Sequence, residues 1–160
     1  MNLHENTMSK TRILIIAHAP LASALKAVAQ HIYTECAEQL MVLDIAAEDG
    51  IGTSAQKAVE ILNSHAKSEW LILTDVFGAT PCNIAKSLNE IAPNIVMRIV
   101  AGVNVPMLWR VLCYGHEPLD ALTEKALAGA GQGIMPVEMQ KIQQQAFKTN
   151  HHDQSHRQNQ

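Results

Sequence analysis

A histidine stands where an apolar run gives way to a proline-led helical segment, in Arg12-Ile-Leu-Ile-Ile-Ala-His18-Ala-Pro20-Leu21. A neutral imidazole is a nucleophile, and a helix N-terminus offers unpaired N–H groups and positive dipole character to an anion such as phosphate. His18, followed by Ala19 and Leu21, therefore reads as a nucleophile aimed at a phosphate pocket. Such a histidine needs one ring nitrogen free to attack and the other held. A carboxylate accepting from Nδ1–H would fix the tautomer and steady the positive charge that forms on the ring. Asp75 lies at the end of another apolar run and is the carboxylate suited to that role. The loop behind it, Val76-Phe-Gly-Ala-Thr-Pro, adds three parts. Phe77 offers an exposed apolar contact for a partner, and Gly78 permits close backbone approach or an unusual turn. Thr80 brings a hydroxyl, either as the N-cap of a helix opening at Pro81 or as a phosphate contact. A third loop, Ala101-Gly-Val-Asn-Val-Pro-Met-Leu, supplies another wall, with Gly102 and Asn104 tolerant of left-handed turns.

The elements that must position these groups are legible in the hydropathy. Four apolar runs, Ile13–Ala17, Leu40–Ile45, Trp70–Val76 and Ile95–Ala101, have the length and near-continuous apolar character of buried parallel strands. Helical spacing fills the gaps: about Pro20 to Glu38, a segment capped near Thr53-Ser54, a segment from Pro81, then Val105–Gly115 and Pro118–Ala128. Gly129-Ala-Gly-Gln-Gly is expected to end the last helix. Ile134-Met-Pro-Val then reads as a candidate short strand that Pro136 confines to an edge. Alternation of strand and helix predicts an α/β fold, a doubly wound four-stranded parallel sheet of order 2-1-3-4 flanked by helices. In that order strands 1 and 3 are neighbours, so His18 and Asp75 are predicted to meet at the switch point between their carboxyl ends.

One domain is the default for 160 residues. Residues 1–10 read as a flexible, polar N-terminus without a signal-peptide core, 11–139 as the domain, and 140–160 as a Gln-, His- and Asn-rich tail expected to be disordered. A net charge of −3 with scattered Lys and Arg argues against a nucleic-acid face. Three separated cysteines without a C-x-x-C pair argue against a disulfide framework or zinc ribbon and for a reducing cytoplasm. No apolar run is long enough to span a bilayer, and no acidic cluster calls for a metal or other cofactor. A receiver-type aspartate site would want an acidic pair near the end of strand 1, where His18 stands instead. A flavodoxin-like binder would want a Gly-rich first turn, where the sequence has Ala-His-Ala-Pro.

Three motifs in order carry a resemblance: Ile16-Ala17-His18, Asp75-Val-Phe-Gly-Ala-Thr-Pro-Cys-Asn83, and Ala101 to Leu108. From about Arg12 to Val137 the chain resembles the IIA component of the mannose family of the bacterial phosphoenolpyruvate-dependent sugar phosphotransferase system (PTS). The segment Gly50 to Ser54 is also similar to the related phosphocarrier subunit of dihydroxyacetone kinase, but the Asp75 and Asn104 loops fit the mannose type better. The resemblance implies that His18 accepts phosphate from phospho-HPr on Nε2 and passes it to a histidine of a IIB domain. It implies that Asp75 is the hydrogen-bonding partner of His18, and that the membrane is approached only through IIC and IID subunits. It further implies a homodimer exchanging a C-terminal strand, for which Gly133–Glu138 is the stretch available. Ala19-Pro20 replaces the glycine common after the family's active histidine, so Ala19, Leu21 and Thr80 are left as phosphate donors. The alternative function is that of a regulatory phosphoprotein, in which the state of His18 controls binding to a partner rather than sugar import.

The remaining histidines and Cys82 read as bland. His31 and His65 fall on helix surfaces, His116 in a helix–helix turn, and His151, His152 and His156 in the tail. Cys82 reads as a small buried residue in a helix's first turn, and Met107 and Leu108 as packing.

Overall fold

The computed structural model describes residues 11–65 and 67–137. Its strands are β1 (Thr11–His18), β2 (Met41–Ile45), β3 (Glu69–Thr74) and β4 (Met97–Ala101). Its helices are α1 (Leu21–Ile32), α2 (Thr34–Ala37), α3 (Ile51–Asn63), α4 (Thr80–Ile91), α5 (Val105–Cys113) and α6 (Leu119–Gln132). All strands pair in parallel in the order β2-β1-β3-β4, the predicted topology.

Both faces of the sheet are covered, which is why its central strands are apolar at every position over Ile13–Ala17 and Trp70–Leu73. Successive side chains on a strand point to opposite faces. Ile13, Ile15 and Ala17 of β1, with Leu71 and Leu73 of β3, accordingly pack against α1, α5 and α6. Leu14 and Ile16, with Trp70 and Ile72, pack against α3 and α4. Switching between one face and the other brings the carboxyl ends of β1 and β3 to the crevice where chain direction diverges.

Several helix boundaries differ from the sequence expectation. The first helical segment is two helices, broken at Tyr33 (φ −132°, ψ 62°). Ile32-Tyr33-Thr34 places β-branched and aromatic residues together, and the Thr34 hydroxyl donates to Gln30 O at 3.0 Å. The second begins at Ile51, with extended Gly50 as N-cap and no side-chain cap, rather than at Thr53-Ser54. Ser54 is instead buried, and its N–H closes the first turn onto Gly50 O.

Helix α6 continues through Gly129 and Gly131 to Gln132 instead of stopping at Ala128. Gly129 and the C-cap Gly133 are packing residues, whereas a Cβ at Gly131 would meet nothing within 4 Å. A Cβ at Gly129 would lie 2.7 Å from Arg110 Cβ and 3.2 Å from Pro106 O. One at Gly133 would lie 2.1 Å from Pro106 Cβ. Ile134 to Val137 form no strand within the chain, and their apolar side chains are exposed. The expected N-terminal arm, residues 1–10, the tail, residues 140–160, and Glu138 of the candidate exchange strand lie outside the described residues. Among those described, no helix is long and apolar enough to cross a membrane.

Gly→Ala inside a helix ordinarily stabilises by about 1 kcal/mol. At Gly129 the new methyl meets the root of the Arg110 side chain, so Gly129→Ala is expected to destabilise by about 1–3 kcal/mol. The midpoint of urea unfolding measures this directly, and an unchanged or raised midpoint would refute the close α5–α6 contact.

Candidate active site

β1 and β3 run side by side in a register that pairs Ile16 with Thr74. His18 and Asp75 therefore leave the sheet at nearly the same level, and their side chains meet. Asp75 Oδ2 lies 2.7 Å from His18 Nδ1 and also accepts the backbone N–H of His18 at 2.9 Å. Its other oxygen, Oδ1, accepts the Val76 N–H at 2.8 Å. The carboxylate is thus tied to backbone on both sides and holds the imidazole from a fixed seat. An ionised carboxylate only accepts, so Nδ1 carries the hydrogen and Nε2 of the neutral ring keeps a lone pair. The Asp75 side chain is 7% exposed and that of His18 51%, so the anchor is shielded while the ring stays accessible.

Burial pushes the Asp75 carboxyl up, but the hydrogen bonds from the His18 N–H and ring, the bond from Val76 and the nearby His18 charge outweigh it. The net effect lowers its pKa from the ordinary carboxylate value.

The loop from Val76 to Ala79 leads away from this pair into α4. Phe77 is 81% exposed, with Val76 beside it also exposed. Gly78 adopts φ 82°, a left-handed conformation that glycine alone takes without strain. Its carbonyl accepts from Asn83 Nδ2 at 3.1 Å, which braces the loop against the first turn of α4. Thr80 is the first residue of α4 rather than its cap. Ala79 occupies the cap position, without a side-chain cap bond, because Pro81 at the second helical position draws the start of the helix back one residue. Pro81 has no N–H and the Asn83 N–H closes onto Ala79 O. The donors left at the first turn of α4 are the N–H groups of Thr80 and Cys82.

The N-terminus of α1 is differently equipped. The Ala19 N–H, an expected phosphate donor, is engaged by Ile45 O at 2.9 Å. Asp44, at the end of β2, accepts the Ala22 N–H at 2.8 Å and the Ser23 N–H at 3.3 Å on Oδ1, while the Ser23 hydroxyl donates to Oδ2. Leu21 provides the one first-turn N–H of α1 that Asp44 does not take. Sequence reasoning missed Asp44. The signal was there: a single carboxylate in the neighbouring strand, level with Ala17 and one residue short of His18.

The third loop closes the site from the β4 side. Gly102, at φ 92°, donates to Thr74 O at 2.9 Å and to Asp75 O at 3.0 Å, which locks the loop to the end of β3. Asn104 is extended (φ −141°) rather than left-handed, and its Oδ1 caps α5 by accepting the Met107 N–H at 2.8 Å. It supports the wall through the helix. Cys82 is buried and His31 exposed, as expected. His65 follows α3 rather than lying within it, and its ring meets Trp70 edge-on.

His18 lines neither of two surface hollows. One, of about 250 Å³, lies at the opposite end of the sheet beside Thr11, Arg12, Cys36 and Cys113. The other, of about 330 Å³, lies between α5 and α6 beside Trp109 and Gly133. Among the described residues, no group of three or more His, Cys, Asp or Glu side chains is placed to hold a metal ion.

Comparison with known proteins places this fold in a family. The family model for the PTS system fructose IIA component matches residues 12–127. A fructose-specific EIIA component of Bacillus subtilis is 35% identical over 101 residues, covering 62% of this chain and 67% of that protein. A sorbose-specific EIIA component of Lacticaseibacillus casei is 29% identical over 99 residues, covering 62% and 70%. The solved mannose/sorbose-specific IIA subunit from Enterococcus faecalis superposes with a TM-score of 0.75 at 25% identity, over 83% of this chain and 98% of that one. The chain belongs to the fructose IIA component family, the EIIA components of the sugar phosphotransferase system.

A carboxylate whose pKa is depressed in the folded state contributes stability that is present above its unfolded pKa, about 4, and is lost as pH falls through the lower folded value. Asp75→Asn is therefore expected to flatten the acid limb of the stability–pH curve below about pH 4 and to lower stability at neutral pH. Thermal unfolding of both proteins across that range checks it; parallel acid limbs would show that Asp75 does not titrate as a bound carboxylate.

Proposed function

We propose that this EIIA component carries the phosphoryl group on His18 Nε2, taking it from phospho-HPr and passing it to a histidine of a IIB domain. The observation that carries the reading is the pair itself: Nδ1 held at 2.7 Å by a shielded carboxylate while the ring stands half exposed. In the first step the Nε2 lone pair attacks phosphorus in line. The new N–P bond forms as the bond to the HPr imidazole breaks, and that imidazole leaves with the electron pair. Asp75 remains ionised and stabilises the positive charge on the phosphorylated ring. The second step repeats the displacement, with the IIB histidine as nucleophile and His18 as leaving group.

The phosphoryl oxygens meet the N–H groups of Thr80 and Cys82 at the α4 N-terminus, with the Thr80 hydroxyl as a further donor. By the alternation along β1, His18 falls on the face of Leu14 and Ile16, the face that α4 covers, which supports this side. Phe77 and Val76 give the partner proteins an apolar contact next to the reacting ring, and Gly78 lets the loop turn toward them. Leu21 and Asn104 border the crevice. Residues 11–139 act as the working domain in the cytoplasm and reach the membrane only through IIB and a IIC/IID complex. Exposed Ile134, Met135 and Val137 support a homodimer in which this segment is exchanged.

Incubation with labelled phosphoenolpyruvate, enzyme I and HPr tests the mechanism. Wild type should take up acid-labile label, His18→Ala none, and Asp75→Ala should be slowed by about a hundredfold. Label retained on His18→Ala would overturn the assignment of the carrier residue. An unchanged rate for Asp75→Ala would reduce Asp75 to a structural role.

A further inference from the structure

Of the helices that start at the carboxyl end of the sheet, α1 and α4 follow the strands that carry His18 and lead to Asp75, yet they are not equivalent as anion sites. The first turn of α4 is Thr80-Pro81-Cys82-Asn83, without an acidic residue. The first turn of α1 already holds an anion: the Asp44 carboxylate accepts the N–H groups of Ala22 and Ser23 and the Ser23 hydroxyl. Asp44 belongs to β2 and lies beside Ala17, one residue from His18. Alternation sets the two side chains on opposite faces. Asp44 shares the side of Val42, which packs with α1, whereas His18 shares that of Leu14 and Ile16, which pack with α4. A fixed negative charge therefore occupies the helix terminus that a phosphoryl group on His18 would otherwise have as its second choice.

We propose that Asp44 is a positioning residue for the phosphoryl transfer. It fills the α1 terminus permanently, so the phosphoryl group is committed to α4. Its charge also repels the dianion, which raises the free energy of phospho-His18 and keeps the group easy to hand on. This rests on the phosphocarrier reading given above.

The test separates charge from shape. Asp44→Asn keeps a side-chain oxygen to accept the Ala22 and Ser23 N–H groups, and its amide can donate to the Ser23 hydroxyl, while the charge is removed. With enzyme I, HPr and limiting phosphoenolpyruvate, the equilibrium between phospho-HPr and phospho-His18 is measured for wild type and variant. The variant should shift toward phospho-His18 by about threefold or more at an ionic strength of about 0.05 M. The shift should shrink at about 0.5 M, where screening removes charge effects but leaves structural ones. A second measurement needs no variant. On phosphorylation of the wild type, the amide resonances of Thr80 and Cys82 should move strongly and those of Ala22 and Ser23 little.

Equal equilibria for the two proteins at low salt, or amide shifts concentrated at Ala22 and Ser23, would overturn the role of Asp44 while leaving the phosphocarrier standing. Failure of the wild type to take up any phosphate from labelled HPr would overturn both.

Discussion

The carboxylate of Asp75 is the point on which the site turns. Three hydrogen bonds converge on its two oxygens, from the backbone and ring of His18 and from the backbone of Val76. A histidine at the end of a strand would ordinarily sample several rotamers, because solvent imposes no preference. Here the sheet places an almost fully shielded anion beside it, and both partners are attached to backbone that parallel pairing holds in register. The hydrogen bond therefore selects one tautomer and one ring orientation without a dedicated pocket. Everything outward of the pair follows from that anchoring. The loop with Phe77 starts from Val76, whose N–H is part of the seat, and the Gly102 loop is tied to Asp75 through its carbonyl.

The surrounding loops divide the work between conformation and capping. Gly78 and Gly102 take the left-handed turns that let two chains bend sharply away from the sheet. Asn83, Asn104 and Asp44 spend their side chains on backbone groups: a loop carbonyl for the first, helix N-terminal N–H groups for the other two. None of the three touches the His18 ring. They fix the frame within which one exposed imidazole can be both mobile enough to be met and oriented enough to react.

Much of this was legible in the chain because buried parallel strands have a plain signature. Runs such as Ile13–Ala17 and Trp70–Leu73 are apolar at every position, and their alternation with helical spacing leaves few topologies. The meeting of His18 and Asp75 then follows from strand order alone. What escaped was information held between elements. Asp44 reads as the one blemish in an apolar strand until the neighbouring helix terminus is seen to need an acceptor. Gly129 and Gly133 look like helix breakers, because close approach and interruption demand the same residue; only Pro106 and Arg110, more than twenty residues upstream in most pairings, tell them apart. The start of α4 moved from the cap that Thr80 offered to Ala79 for a similarly local reason, the fixed geometry of Pro81.

The half-exposed setting of His18 bears on how leakproof the proposed relay would be. The two hollows described above lie elsewhere, between α5 and α6 and at the far end of the sheet. The imidazole stands half exposed outside both, and small ligands depend on enclosure for affinity. On the proposed function, a folded protein leaning on the Phe77 loop would bring enough surface to restrain a second nucleophile for the time a displacement takes. In the relay proposed above, openness would work as insulation: high-energy phosphate would pass from protein to protein past dissolved sugars that could spend it.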